Sequence, residues 1–344
     1  MSLHDLLGIE LPIIQAPMAG VQGSQLAIAV CNAGGLGSLP CAMLDGDAIR
    51  AEVSAIRARS SRPFNLNFFV HEMPAEDAAR DAAWRAALGP YFAELEVPPD
   101  ASAGPQRRPF DDALADIVEE LKPPIVSFHF GLPPEPLLAR VRGWGCKILS
   151  SATTVAEARW LAERGVDAII AQGIEAGGHR GMFLGGAVHE QLGTFALVPQ
   201  VIAATRLPVI AAGGIADARG VRAALALGAV AAQIGTSYLL CPETTTAALH
   251  RAALMSARTA RTAITNVFTG RPARAIVNRL VEELGPIAPA APPFPLASNA
   301  VMPLRAAAER RGSDDFSPLW SGQNATGCKV ISAAQLTREL AGVA

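Results

Sequence analysis

A (β/α)8 barrel with a smaller helical domain inserted near the C-terminus is the fold class that this 344-residue sequence predicts. Three observations predict it. Short apolar runs bounded by Gly or Pro recur eight times, the pattern of parallel strands buried on both faces. Amphipathic stretches lie between most of these runs, the alternation that places a helix on each crossover. Two long segments, 71–110 and 243–317, break the rhythm. Half of the residues are hydrophobic, enough apolar material for a large core. An open doubly wound sheet is the alternative, and it too puts ligands at the carboxyl ends of its strands.

The elements follow in chain order. Strands are expected at Ile13–Ala16, Gly37–Leu39, Asn65–Phe69, Ile125–Phe128, Lys147–Ser150, Ala168–Ala171, Val209–Ala212 and Ala231–Ile234. Helices are expected at Gln25–Asn32, Asp45–Ala58, Pro134–Arg142, Val155–Arg164 and Asp217–Leu227. Thr154 and Asp217 are placed to cap helix N-termini, and Gly165 and Gly228 to stop the preceding helices. Segment 71–110 reads as an insertion after the third strand: a helix at Ala75–Leu88, then a Pro-rich loop ending in Arg107 and Arg108. Segment 243–317 reads as helices Thr245–Ala257, Ala273–Leu284 and Leu304–Arg311 joined by PIAPAAPPFPLASNAVMP. A connection so long and irregular marks a lid or binding loop. The expected division is therefore a barrel of 1–242 plus 318–344 and a cover of 243–317 over its mouth.

Composition removes several function classes. A net charge of -2 leaves no electrostatic footprint for nucleic acid, and 5% aromatic residues leave little for base stacking. Ala223–Cys241 is uncharged and long enough for a membrane span, but its Gly, Gln, Thr and Ser residues fit a helix end, a turn and a buried strand. The opening MSLHDLLGIELP has acidic residues and no long apolar core, unlike a secretory leader. Five scattered cysteines lack CxxC spacing, so a cytoplasmic setting with neither disulfides nor zinc is expected. No metal-ligand spacing of Asp, Glu or His occurs either.

The chemistry is expected just after each apolar run. Gly213-Gly214 and Gly235-Thr236 offer unhindered N–H groups at the ends of adjacent strands, a way to bind phosphate without a cation. Barrels commonly hold phosphates there. A Walker loop is absent, and Gly34-Gly35-Leu36-Gly37 precedes a strand rather than following one, so no dinucleotide fingerprint is present. Asn67, Gln172 and Gln233 supply amides for a heteroaromatic edge, Pro17 and Met18 an apolar surface and a backbone amide, and Ile234 lies between the last two groups. Phosphate, amides and apolar walls without metal describe a flavin mononucleotide (FMN) pocket.

The stretch AIIAQGIEAGGHRGMF, residues 168–183, leaves a buried strand, loosens at Gly177-Gly178 and presents His179. The glycines would let the backbone pass close to a flat cofactor, and the imidazole would act as general acid or base. Glu175 would orient this loop, while Arg180 reads as a solvated or salt-bridged group. His129 fits a supporting role as well as a catalytic one. His4, His71, His189 and His250 read as surface residues.

In this order, QAPMAG, NLNFF, SFHFG, AQGIEAGGHRG, AAGGI and QIGT resemble the nitronate monooxygenases, formerly 2-nitropropane dioxygenases. The resemblance covers most of the chain and implies a barrel holding FMN non-covalently. It places FMN contacts at Asn67, Gln172, Gly177, Gly214 and Gln233 to Thr236, and the catalytic histidine at His179. It implies oxidation of alkyl nitronates, such as propionate 3-nitronate, by O2 to a carbonyl compound and nitrite. No nicotinamide is required: the flavin takes one electron from the anionic nitronate and oxygen completes the chemistry. In that chemistry His179 would deprotonate a neutral nitroalkane or, when protonated, bind the nitronate's charge. Typical bacterial members place tyrosines around the substrate, whereas this chain has only Tyr91 and Tyr238, with Phe294 where a hydroxylated ring is expected. The rival readings are an NAD(P)H-dependent enoyl-acyl-carrier-protein or quinone reductase, and a flavin carrier or inactive barrel.

Overall fold

A computed structural model describes residues 3–103, 107–185 and 187–343. It contains strands β1 (Ile13–Gln15), β2 (Gly37–Pro40), β3 (Phe64–Phe69), β4 (Ile125–His129), β5 (Lys147–Ala152), β6 (Ala168–Gln172), β7 (Gly178–His179), β8 (Val209–Ala212), β9 (Ala231–Ile234), β10 (Thr262–Thr265) and β11 (Ala273–Ile276). Eight of them form one parallel sheet in the order β1-β9-β8-β6-β5-β4-β3-β2. A parallel bridge between Ile14 and Leu36 brings the first and last strands together, so the sheet closes into the expected barrel. Gln15 completes the seam, its Oε1 accepting from the Ser38 N–H at 2.9 Å where a strand carbonyl would ordinarily serve.

Strand alternation divides the barrel's side chains by face. Leu66, Phe68, Val126, Phe128, Ile148, Ile169, Ala171, Val209 and Ala211 join the core beneath the surrounding helices. Ile14, Leu36, Ile125, Leu149, Ala168, Ile170 and Ile210 form a second core with Leu6, Leu7 and Ile9, so the short helix Leu3–Leu7 plugs the base of the barrel. Higher up, on the parity of Ile125, Asn65 Nδ2 donates to the Ser38 and Ser127 hydroxyls. The interior thus passes from aliphatic at the base to polar at the mouth.

The crossover helices start as their caps direct. Thr154 and Glu157 form a capping box on Val155–Glu163, and Asp217 accepts from the Gly220 N–H to open Ala218–Ala226. Gly165 and Gly228 stand at φ +70° and +99°, where a side chain is strained. Ala223–Cys241 is a helix end, a turn, β9 and a 3-10 turn, and among the described residues no helix is long and apolar enough to cross a membrane.

The irregular segments depart from expectation in three places. First, the insertion's helix spans Ala78–Glu94, and its Trp84, Leu88, Tyr91 and Phe92 share a core with Val267, Phe268, Leu280, Val301, Leu304 and Phe316. The insertion packs with residues 267–316 rather than with the barrel core. Second, the helix expected over Ala273–Leu284 is β11 followed by a helix at Arg279–Leu284 that Asn278 caps. Ala and Arg favour helix, but antiparallel pairing of β11 with both β10 and β7 overrides that preference. Third, the last helix of that segment begins at Ser298 rather than Leu304 and runs through Pro303. Proline leaves the carbonyl four residues earlier without its helical donor, and the Ala103 N–H takes up that carbonyl of Asn299 at 3.1 Å.

Candidate active site

The carboxyl ends of the barrel strands open into one cavity of about 1310 Å³, counted out to solvent. Pro17, Met18, Asn67, Gln172, Gly177, Gly178, His179, Gly213, Gly214, Gln233, Ile234, Gly235 and Thr236 all line it. No Asp or Glu does among the described residues.

One end is a rim of backbone. Gly213 and Gly214 turn out of β8 at φ +118° and +72°, and Gly235 and Thr236 leave the neighbouring β9. Among the described residues nothing accepts from the N–H groups of Gly214, Gly235 or Thr236. Asn324 Nδ2 donates to the Gly214 carbonyl at 3.0 Å, and the Gly322 N–H donates to Thr236 Oγ1 at 2.9 Å. These bonds leave three N–H donors and the Thr236 hydroxyl proton for a ligand, in a cavity without carboxylates. That donor set fits a phosphate.

The expected amides differ in their freedom. Gln172 is engaged at both ends, its Nε2 donating to the His179 carbonyl and its Oε1 accepting from the Gly181 N–H. Its role here is to fix the loop, not to offer a free amide. Asn67 Nδ2 donates to Ser127, whereas the Gln233 carboxamide has no partner among the described residues. The Met18 N–H donates to Gln22 Oε1, so Met18 brings only its apolar surface. Gly177 has a packing reason to lack a side chain: a Cβ there would lie 2.5 Å from Gly322 N. Gly178, at φ +70°, has open space around that position.

The other end is built around His179. After β6 the chain turns back as β7 and pairs with β11, His179 opposite Ala273. Glu175 orients this loop by accepting from the Thr194 N–H and hydroxyl. His129 Nε2 lies 3.2 Å from the His179 carbonyl and His129 Nδ1 lies 3.0 Å from Ser151 Oγ, a supporting role. The His179 ring sits among Phe294 (5.2 Å), Trp320 (5.3 Å), Phe69 and Phe130 (both 6.1 Å). Its Nε2 is 2.9 Å from Thr269 Oγ1, and Nδ1 has no partner among the described residues. Burial in this box, reinforced by the Arg107 charge, holds the imidazole pKa well below 6.5. Burial thus favours the neutral form of the His179 imidazole.

Several sequence readings are corrected here. Arg180 is fully buried and donates to the Gly173 and Gln172 carbonyls and to Gln191 Oε1, with no salt bridge among the described residues. His71 and His250 are buried, not surface, residues, and burial pushes each down to about 4. His250 lines the cavity, its Nε2 3.1 Å from the Trp320 carbonyl. Neither tyrosine reaches the cavity: Tyr91 donates to Glu283, and Tyr238 pairs with Thr337 behind the rim. Phe294 is buried and packs its plain hydrocarbon ring against His179. Sequence reasoning missed Arg107, His250, Thr269, Trp320, Gly322 and Asn324 as site residues. Trp320 and Gly322 stand in the run WSGQ, residues 320–323, beyond the last expected strand.

Comparisons with known proteins agree on one relationship. A family model described as nitronate monooxygenase matches residues 1–342. A nitronate monooxygenase of Paraburkholderia phytofirmans is 44% identical over 343 residues, covering 98% of this chain and 93% of that protein. The solved structure of a nitroalkane oxidase from Streptomyces ansochromogenes superposes with a TM-score of 0.90 at 39% identity, covering 99% and 97% of the two chains. FabK from Thermotoga maritima matches less well, at TM-score 0.72 and 26% identity over 98% and 94%.

Proposed function

The chain belongs to the nitronate monooxygenase family of flavin-dependent oxidoreductases, and from that premise we propose that it uses FMN to oxidise alkyl nitronates with O2 to a carbonyl compound and nitrite. The observation that carries this reading is the pairing, in one cavity, of a carboxylate-free N–H rim with a neutral imidazole in an aromatic box.

The N–H groups of Gly214, Gly235 and Thr236 would hold the FMN phosphate, with Gln233 and the Met18 side chain toward the ring. Bound there, FMN would supply the electron-acceptor chemistry that links the substrate to O2. His179 takes the α-proton when the substrate arrives as a neutral nitroalkane. The proton has an acceptor in Nδ1 when Nε2–H donates to Thr269. Phe69, Phe130, Phe294 and Trp320 exclude water from the reacting end. Residues 243–317, with the helix 78–94 packed on them, would serve as the substrate-covering unit. All five cysteines are unpaired, in keeping with a cytoplasmic setting.

The test is aerobic turnover of propionate 3-nitronate by the FMN-loaded protein, followed by O2 uptake and nitrite release, beside an anaerobic mixture with NADPH. Nitrite release without flavin bleaching by NADPH is expected. Prompt bleaching with no nitrite would assign the chain to a nicotinamide-dependent reductase instead. Neither would leave a flavin carrier.

A further inference from the structure

Arginines gather around the reacting end, and their engagements differ. Arg180 is bonded to loop carbonyls. Arg274 donates to the Ile174 carbonyl and Thr262. Arg271 donates to the Met182 carbonyl and lies with its Cζ 3.9 Å from the centre of the Phe130 ring. None of these three lines the cavity.

Arg107 does line it. It comes from the end of the insertion's Pro-rich loop, and its Cζ lies 6.0 Å from the centre of the Phe294 ring. His179 meets the same ring at 5.2 Å. No carboxylate among the described residues forms an ion pair with Arg107, in contrast to Arg50, Arg140 and Arg279. Nor does any Asp or Glu line the cavity from another element. A guanidinium held on a cavity wall without an acid is costly unless a ligand supplies the anion. Of the cavity's other basic groups, His129 and His250 have their charged forms suppressed by burial, down to about 3 and about 4.

The substrate of the proposed reaction is an anion whose charge is shared by two coplanar oxygens. That is the shape a guanidinium fork pairs with through two parallel hydrogen bonds. We propose that Arg107 is the anion receptor of this site: it pairs with the nitronate oxygens from the Phe294 side while His179 faces the α-carbon. The phosphate is the wrong anion for this residue, because the N–H rim is built on β8 and β9, whereas Arg107 lies beside Phe294, the ring that packs on His179. The inference rests on the functional reading above. It adds a specificity-determining residue contributed by the insertion rather than by the barrel.

The experiment uses the FMN-loaded full chain with Arg107→Gln, Arg107→Lys and Arg107→Met; the last keeps the apolar stem should the Gln variant not hold flavin. Two quantities are measured: the KM for propionate 3-nitronate, and the Kd of nitrate, a planar stand-in for the nitronate head, from the flavin difference spectrum. Loss of the fork raises both about 10- to 100-fold in the Gln and Met variants. The Lys variant, which keeps the charge, recovers part of the loss, and kcat changes far less than KM. A Gln or Met variant with wild-type KM and wild-type nitrate affinity overturns the proposal, as does loss of kcat alone. The two readings fail separately. Arg107-dependent nitrate binding without nitrite release would sink the enzymatic reading only. Nitronate turnover indifferent to Arg107 would sink this one only.

Discussion

The two ends of the cavity are built in opposite ways. The phosphate rim is local: Gly213-Gly214 and Gly235-Thr236 each follow their own strand directly, and β8 and β9 are adjacent in the barrel. Its donors are backbone groups, so it depends on chain direction and glycine more than on side chains. The reacting end is assembled from Phe69, Arg107, His129, His179, Thr269, Phe294 and Trp320, spread over nearly three-quarters of the sequence. Its strand β7 is stitched to β11 of the covering segment, and a further bridge joins Ala275 to Trp320. In the function proposed, the barrel would supply the flavin seat and the pieces inserted into it the reaction's specificity. A substitution at one end should leave the other end's function standing.

The largest expected effect breaks the pair cleanly. His179→Asn removes the base and should lower turnover of a neutral nitroalkane by ~10²–10⁴-fold while the protein still carries a full complement of FMN. Steady-state kinetics beside the visible spectrum check this, and an unchanged rate would refute the role of His179. Next comes the reverse case. Gly214→Val forces a β-branched side chain into φ +72° and disturbs the donor at the rim. FMN affinity should fall ~10–100-fold, consistent with a strain of ~1–3 kcal/mol. Once saturated with FMN, the variant should turn over nearly as the parent does.

A smaller effect sharpens the reacting end. Thr269→Val removes the hydroxyl on His179 Nε2 and should reduce kcat ~3–10-fold, the value of one neutral hydrogen bond. Thr269→Ser should restore it, and FMN binding should change in neither.

The pH dependence follows from the buried imidazoles. Because the His179 pKa lies well below 6.5, its neutral form persists on acidification, and kcat should show no His179 step between pH 8 and 6. Stability behaves differently. His71, His129 and His250 are depressed to about 4, about 3 and about 4, below the unfolded value near 6.5. The unfolded chain therefore binds more protons in that window. The stability is full above pH 6.5 and is lost as pH falls toward those values, by ~1.4 kcal/mol per histidine per pH unit. A Tm drop of roughly 5–10 °C between pH 7 and 5 is expected, and a flat Tm would contradict the assigned neutrality.

The same division explains what the sequence reveals. All eight barrel strands are legible because each is a short apolar run with its own stops, and the rim because glycine pairs follow two of them. The backbone accounts for Gly214; no distant contact is needed to find it. The helix expected at Ala273 fails because β11 exists only through partners at 178–179 and 262–265, and local preference is blind to them. Arg107 and Thr269 are invisible for the same reason, since each gains meaning from a residue 70 or more positions away. Arg180 misleads in the opposite sense: an arginine beside a glycine loop reads as exposed, and only the fold shows that loop carbonyls satisfy it.

The most direct measurement is a crystal structure of the FMN-loaded protein. It is expected to show the phosphate on the N–H groups of Gly214, Gly235 and Thr236, with the isoalloxazine ring facing the His179 imidazole. A phosphate bound elsewhere in the barrel mouth, or an imidazole turned away from the ring, would contradict the account.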